Sequence, residues 1–108
     1  MNEYPVGQVF SALADANRRY LLEALAGRET ATATELASEL PVSRQAVAKH
    51  LAALSEAGLV ESSRAGRETR YRLTPGPLVE AVSWIEQVGT QWDERLSALR
   101  SHLDHAKP

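Results

Sequence analysis

The sequence contains no cysteine, which excludes a disulfide framework, a thiolate metal site and a cysteine nucleophile. Aromatic residues are scarce, with one Phe, two Trp and three Tyr among 108 residues, so the core is a modest aliphatic one. No apolar run extends beyond a few residues, too short for a membrane span. Met1 is followed by Asn2, Glu3, Tyr4 and Pro5, where an export leader would place basic and then apolar residues. These absences point to the cytoplasm and to no membrane partner. A large charge of one sign is also missing. The net charge of −2 argues against a protein that coats nucleic acid wholesale.

What is present is the composition of one compact domain spanning 1–108, with 44% hydrophobic and 24% charged residues. The charge is unevenly placed. Residues 1–40 hold three basic and six acidic side chains, residues 41–74 six and three, and residues 75–108 three and five. Only the middle third is basic, and an anionic partner is expected there.

Hydrophobic spacing divides the chain into elements. Val9, Phe10 and Leu13 fall at helical spacing in a first helix, 6–14, and Asp15 or Asn17 caps a second that carries Leu21, Leu22 and Leu25 and ends at Gly27. Thr32 and Glu35 form a Thr-x-x-Glu capping box before Leu36, Ala37 and Leu40, which predicts a short third helix stopped by Pro41. Ser43 caps a fourth helix, with Val47, Leu51 and Leu54 on one face and Gly58 at its end. The period then changes: Leu59 and Val60 open a strand, Ala65 to Glu68 makes a turn, and Thr69 to Leu73 alternates, with Arg70 and Arg72 opposite Tyr71 and Leu73. Read this way the fold is mainly α, a winged helix-turn-helix of order α-α-α-α-β-β-α.

The last segment, about 77–103, carries Leu78, Val82, Ile85, Gly89, Trp92, Leu96, Leu99 and Leu103 in alternating steps of four and three. That is the seam of a helix packed lengthwise on another helix. Such a helix is longer than a domain of this size covers alone, and a partner subunit is the expected cover.

Two short helices joined by a tight turn hold the second at an angle suited to the major groove. Its buried face is Val47, Leu51 and Leu54, which leaves Ser43, Arg44, Gln45, Ala48 and Lys49 for DNA, with Ala52 further along. Small residues at 48 and 52 permit close approach; Arg and Lys suit guanine acceptors and Gln suits adenine. His50 borders the buried face as a packing or phosphate-contact residue. On the hairpin, Arg64, Arg67 and Arg70, with Arg72, supply contacts to phosphates or the minor groove. Ser11, Ser43 and the histidines show no catalytic spacing, and there is no glycine-rich phosphate loop, so an enzyme is not expected.

Five stretches together resemble the ArsR-type (ArsR/SmtB-like) winged-helix repressors of bacteria: Phe10 to Arg19, Ala33 to Ala37, Val42 to Leu51, Leu54 to Val60, and Arg70 to Leu73. The resemblance implies a homodimer built from the first and last helices, which places Phe10, Leu78, Val82, Ile85, Trp92, Leu96 and Leu99 at its interface. It also implies binding to double-stranded operator DNA and repression relieved by a signal whose identity the sequence does not contain. The family's metal sensors carry Cys-x-Cys on the third helix, where this chain has Glu35 to Leu40, so the similarity is to a cysteine-free subgroup and no metal or cofactor is expected. Two alternatives stand beside this reading. One is a metal-responsive repressor using His102, Asp104 and His105. The other is a winged helix that contacts protein, which the small basic face disfavours.

Overall fold

The computed structural model describes residues 6–106, and the side chains of 6–104. The order is α1 (Val6–Leu13), α2 (Ala16–Ala26), β1 (Ala31–Thr32), α3 (Ala33–Ala37), α4 (Arg44–Glu56), β2 (Val60–Ala65), β3 (Glu68–Leu73) and α5 (Gly76–Ala106).

Side chains at the α1–α2 corner satisfy both helix ends. The Asp15 carboxylate accepts the Asn17 and Arg18 amides at 2.8 and 3.2 Å, capping α2. Arg18 donates back to the Ala12 and Ser11 carbonyls at 2.6 and 3.0 Å, and Arg19 to that of Leu13. The last carbonyls of α1, which have no partner within the helix, are thereby paired.

The predicted capping box is formed: Thr32 Oγ1 accepts the Glu35 amide at 3.1 Å and Glu35 Oε1 accepts the Thr32 amide at 2.7 Å. The helix is shorter than its hydrophobic pattern suggests. It closes at Ala37, and Leu40 belongs to a turn of i→i+3 bonds, Glu39 to Leu36 at 3.1 Å and Leu40 to Ala37 at 3.4 Å. In α4 the Ser43 hydroxyl accepts the Ala46 amide at 3.1 Å. At the other end the Leu59 amide reaches the Leu54 carbonyl at 2.9 Å and the Gly58 amide that of Ser55 at 3.0 Å, with Gly58 at φ 76°. These are the paired bonds of a Schellman motif, which needs a left-handed residue where Gly58 stands. Both leucines are buried in the core.

One strand escaped the sequence reading. Ala31 and Thr32 pair with Tyr71 and Arg70, which makes the sheet three-stranded and antiparallel, in the order β1-β3-β2; the element order is therefore α-α-β-α-α-β-β-α. Strands β2 and β3 pair from Val60↔Leu73 to Ala65↔Glu68 around Gly66 and Arg67. Gly66 has φ 64° and Arg67 is not left-handed, the combination that a type II′ hairpin turn uses to follow the sheet's twist.

Leu21, Leu25, Leu36, Leu51, Leu54, Leu59, Val9 and Val47 are completely buried, so α1 to α4 and the segment entering β2 close on one core. The last helix behaves differently. It begins one residue before Pro77, whose missing N–H falls in the first turn where no bond is lost, and its 31 residues run about 46 Å. Ala81 is buried and Leu78 packs on the core, but from Gly89 to Asp104 every residue is exposed.

Candidate nucleic-acid interface

The Ser43 cap and the buried face of Val47, Leu51 and Leu54 fix the rotation of α4. Arg44, Gln45, Ala48, Lys49 and Ala52 consequently face solvent. Arg44, Gln45 and Ala48 form one wall of an open groove of about 630 Å³, and Arg64, Arg67 and Thr69 of the hairpin form the other. The groove thus gathers five of the expected DNA-contact residues from α4 and the wing, which are separated by up to 23 positions in sequence (44 to 67). Among the described residues, the side chains of Arg44, Gln45, Lys49 and Arg67 have no hydrogen-bond or ion-pair partner. Lys49 lies on the same exposed side of α4 but outside the groove lining.

Other expected contacts are placed elsewhere. His50 is half-buried and does not line the groove. Arg70 is tied to its own chain by ion pairs to Glu68 at 3.0 Å and Glu35 at 3.2 Å. Arg72 lies 3.5 Å from Glu61. The sequence reading overlooked Thr34, Thr69 and Tyr71, which also line the groove. The two-residue turn was the available signal, since pairing outward from Gly66 sets Arg64 opposite Thr69, and these two side chains hydrogen-bond at 3.3 Å.

Two carboxylates are held below their ordinary range. For Asp15 the main cause is the Arg18 amide, joined by that of Asn17 and the charges of His50 and Arg18, against an opposing desolvation. For Glu35 it is the Thr32 amide, opposed by desolvation and helped by the charge of Arg70.

His102 and Asp104 are exposed on α5 and the side chain of His105 lies outside the described residues. No group of three or more ligating side chains suited to a metal occurs among the described residues. No described helix is long and apolar enough to cross a membrane.

A turn-linked helix pair, its outer helix exposed beside a two-stranded wing, defines a winged helix-turn-helix DNA-binding protein. Residues 13–63 match the family model described as a helix-turn-helix domain. The chain is 46% identical over 84 residues to the HTH-type transcriptional regulator Rv2034 of Mycobacterium tuberculosis, covering 78% of each protein. It superposes on the solved structure of an ArsR-like transcriptional regulator from Rhodococcus sp. RHA1 with a TM-score of 0.87 and 44% identity, over 94% of this chain and 93% of that one. A second similar structure is the homodimeric winged helix-turn-helix DNA-binding domain Mb0332 from Mycobacterium bovis, with a TM-score of 0.62 and 27% identity over 86% and 82% of the two chains. The chain belongs to the ArsR-type family of winged-helix transcriptional regulators. It is a DNA-binding regulator of transcription and not an enzyme.

Proposed function

We propose that the protein is a homodimeric repressor that binds a palindromic operator, reading bases with Arg44, Gln45 and Lys49 and gripping phosphates with Arg64 and Arg67. The observation that carries this reading is the groove between α4 and the wing, lined by the unpartnered Arg44, Gln45 and Arg67 together with Ala33 and Ala48, its two carboxylates, Glu35 and Glu68, being paired with Arg70. Ser43 shapes the helix end that enters the DNA, and Ala48 lets it come close. Repression follows sterically when the operator overlaps a promoter, because the dimer and the polymerase then compete for the same DNA.

The second copy is argued from α5. Val82, Ile85, Trp92, Leu96, Leu99 and Leu103 are each about half exposed, at 47–56%. They recur at the seam spacing of paired helices, and a stripe of that length is more than a soluble monomer ordinarily leaves uncovered. The homodimeric assembly of the similar Mycobacterium bovis domain supports a second copy as its cover, with Phe10 of α1 beside the α5 seam. A dimer with recognition helices about 34–36 Å apart would require half-sites one helical turn apart.

Selection of bound DNA from a random pool by the purified protein, with its mass measured in the same buffer, tests the proposal. A palindromic site enriched by a dimer is the expected result. Weak binding to all DNA without enrichment, or enrichment by a monomer, would overturn it.

A further inference from the structure

The wing arginines fall into two sets, and the sheet decides which. Alternation along β2 and β3 puts Arg64 and its partner Thr69 on the inner face with Tyr71 and Leu73. Arg70 and Arg72 lie on the outer face. Arg70 is far more enclosed than Arg72, its side chain 26% exposed against 62%. Each of its nitrogen atoms donates within the chain: Nε to Thr30 Oγ1 at 2.8 Å, Nη1 to Glu68 Oε1 at 3.0 Å, and Nη2 to Glu35 Oε1 at 3.2 Å. Glu35 Oε1 is the same atom that closes the capping box of α3. Thr30 and Glu35 flank β1, which itself pairs with β3 at Thr32↔Arg70.

We propose that Arg70 is the positioning residue of the wing, fastening the hairpin to the first turn of α3 so that Arg64 and Arg67 are presented to DNA, without itself neutralising a phosphate. This rests on the reading of the groove as the DNA site. To reach a phosphate, Arg70 must release Glu35 and Glu68 and leave two carboxylates uncompensated beside a polyanion. The proposal also makes the guanidinium irreplaceable by an ammonium. A phosphate accepts a point charge from either side chain, but three acceptors around a planar fork suit Arg and not Lys.

The test compares full-length wild type with Arg70→Lys, Arg70→Gln and Arg67→Ala. Affinity for the selected operator is read across a range of salt, and amide hydrogen exchange of β1, β2 and β3 is read without DNA, with Leu21 and Leu51 as reference for an intact core. Arg70→Lys and Arg70→Gln are both expected to weaken binding on the order of tenfold with the wild-type salt slope, and to speed exchange along β1 and β3. Arg67→Ala is expected to lower the slope by about one and leave exchange unchanged. Wild-type binding by Arg70→Lys, or a slope lowered by about one in Arg70→Gln, would overturn the proposal, and so would unchanged exchange in both variants. If the wild-type protein bound no DNA, the reading of the groove would fail separately, and exchange alone would decide whether Arg70 anchors the wing.

Discussion

Phe10 on α1 and Trp84 on α5 meet edge to face, their ring centroids 5.7 Å apart and their planes inclined by 65°. With buried Ala81 and half-buried Leu78, this pair fastens the first turns of α5 to the domain before the helix leaves it. The angle at which the projecting helix departs is therefore set on α1, close to the helix-turn-helix core. An edge-to-face pair contributes about 0.5–1.5 kcal/mol beyond the area it buries. A double-mutant cycle with Phe10→Leu and Trp84→Leu, read by urea unfolding at one fixed protein concentration because assembly shifts stability, is expected to return a coupling in that range. Additive losses would mean that the rings only fill space.

Beyond Trp84 no other described element covers the apolar stripe, and Trp92, Leu96 and Leu99 remain 56%, 47% and 55% exposed. Leu96→Glu and Leu99→Glu put charge into the middle of the proposed seam without touching the domain core. Sedimentation is expected to show each variant as a monomer, with affinity for a two-half-site operator reduced far more than affinity for a single half-site. A variant that stays dimeric would move the interface elsewhere.

The proposed reading gives α4, with Lys49 beside the groove, and the wing different tasks, and truncation separates them. Gln45→Ala or Lys49→Ala on α4 is expected to cost about 1–3 kcal/mol at the operator and to relax base preference. Arg67→Ala at the turn is expected to weaken all DNA alike and lower the salt slope by about one. Binding measured against operator and scrambled duplexes at several salt concentrations distinguishes the two patterns. A sequence-selective loss in Arg67→Ala would instead make the turn a reader of bases.

Much of this was legible from local chemistry. Thr32 with Glu35, and Ser43, each announce a helix start through bonds that span at most three residues, and both form; for α2 the sequence offers Asp15 or Asn17, and Asp15 is the cap. The period of Val47, Leu51 and Leu54 sets which face of α4 is buried, and hence which side chains face solvent. What could not be read locally depends on chain segments that meet in space. Two residues, Ala31 and Thr32, carry no periodicity and become a strand only because β3 lies beside them. Arg70 looks like its neighbour Arg72 in sequence, yet its acceptors Thr30 and Glu35 lie 40 and 35 positions away. Leu40 completes an apolar pattern but sits in a turn, because the i→i+3 bonds after Ala37 close the helix ahead of Pro41.

Acid is expected to act on the helix starts. Asp15 and Glu35 are both depressed, chiefly by backbone amides that their ionised forms accept. A carboxylate of this kind binds its proton less readily in the folded chain than in the unfolded one. Its stabilisation is therefore full above the unfolded value near about 4 and is lost as pH falls through the lower folded value. Asp15→Asn and Glu35→Gln retain cap-competent side chains and remove only the charge. At pH 7 each variant is expected to unfold at lower urea than wild type, and the difference is expected to shrink toward zero as pH falls through the depressed folded values. A gap that stays constant from pH 7 to pH 3 would assign the loss to altered hydrogen bonding, and the charge on these two caps would then contribute nothing.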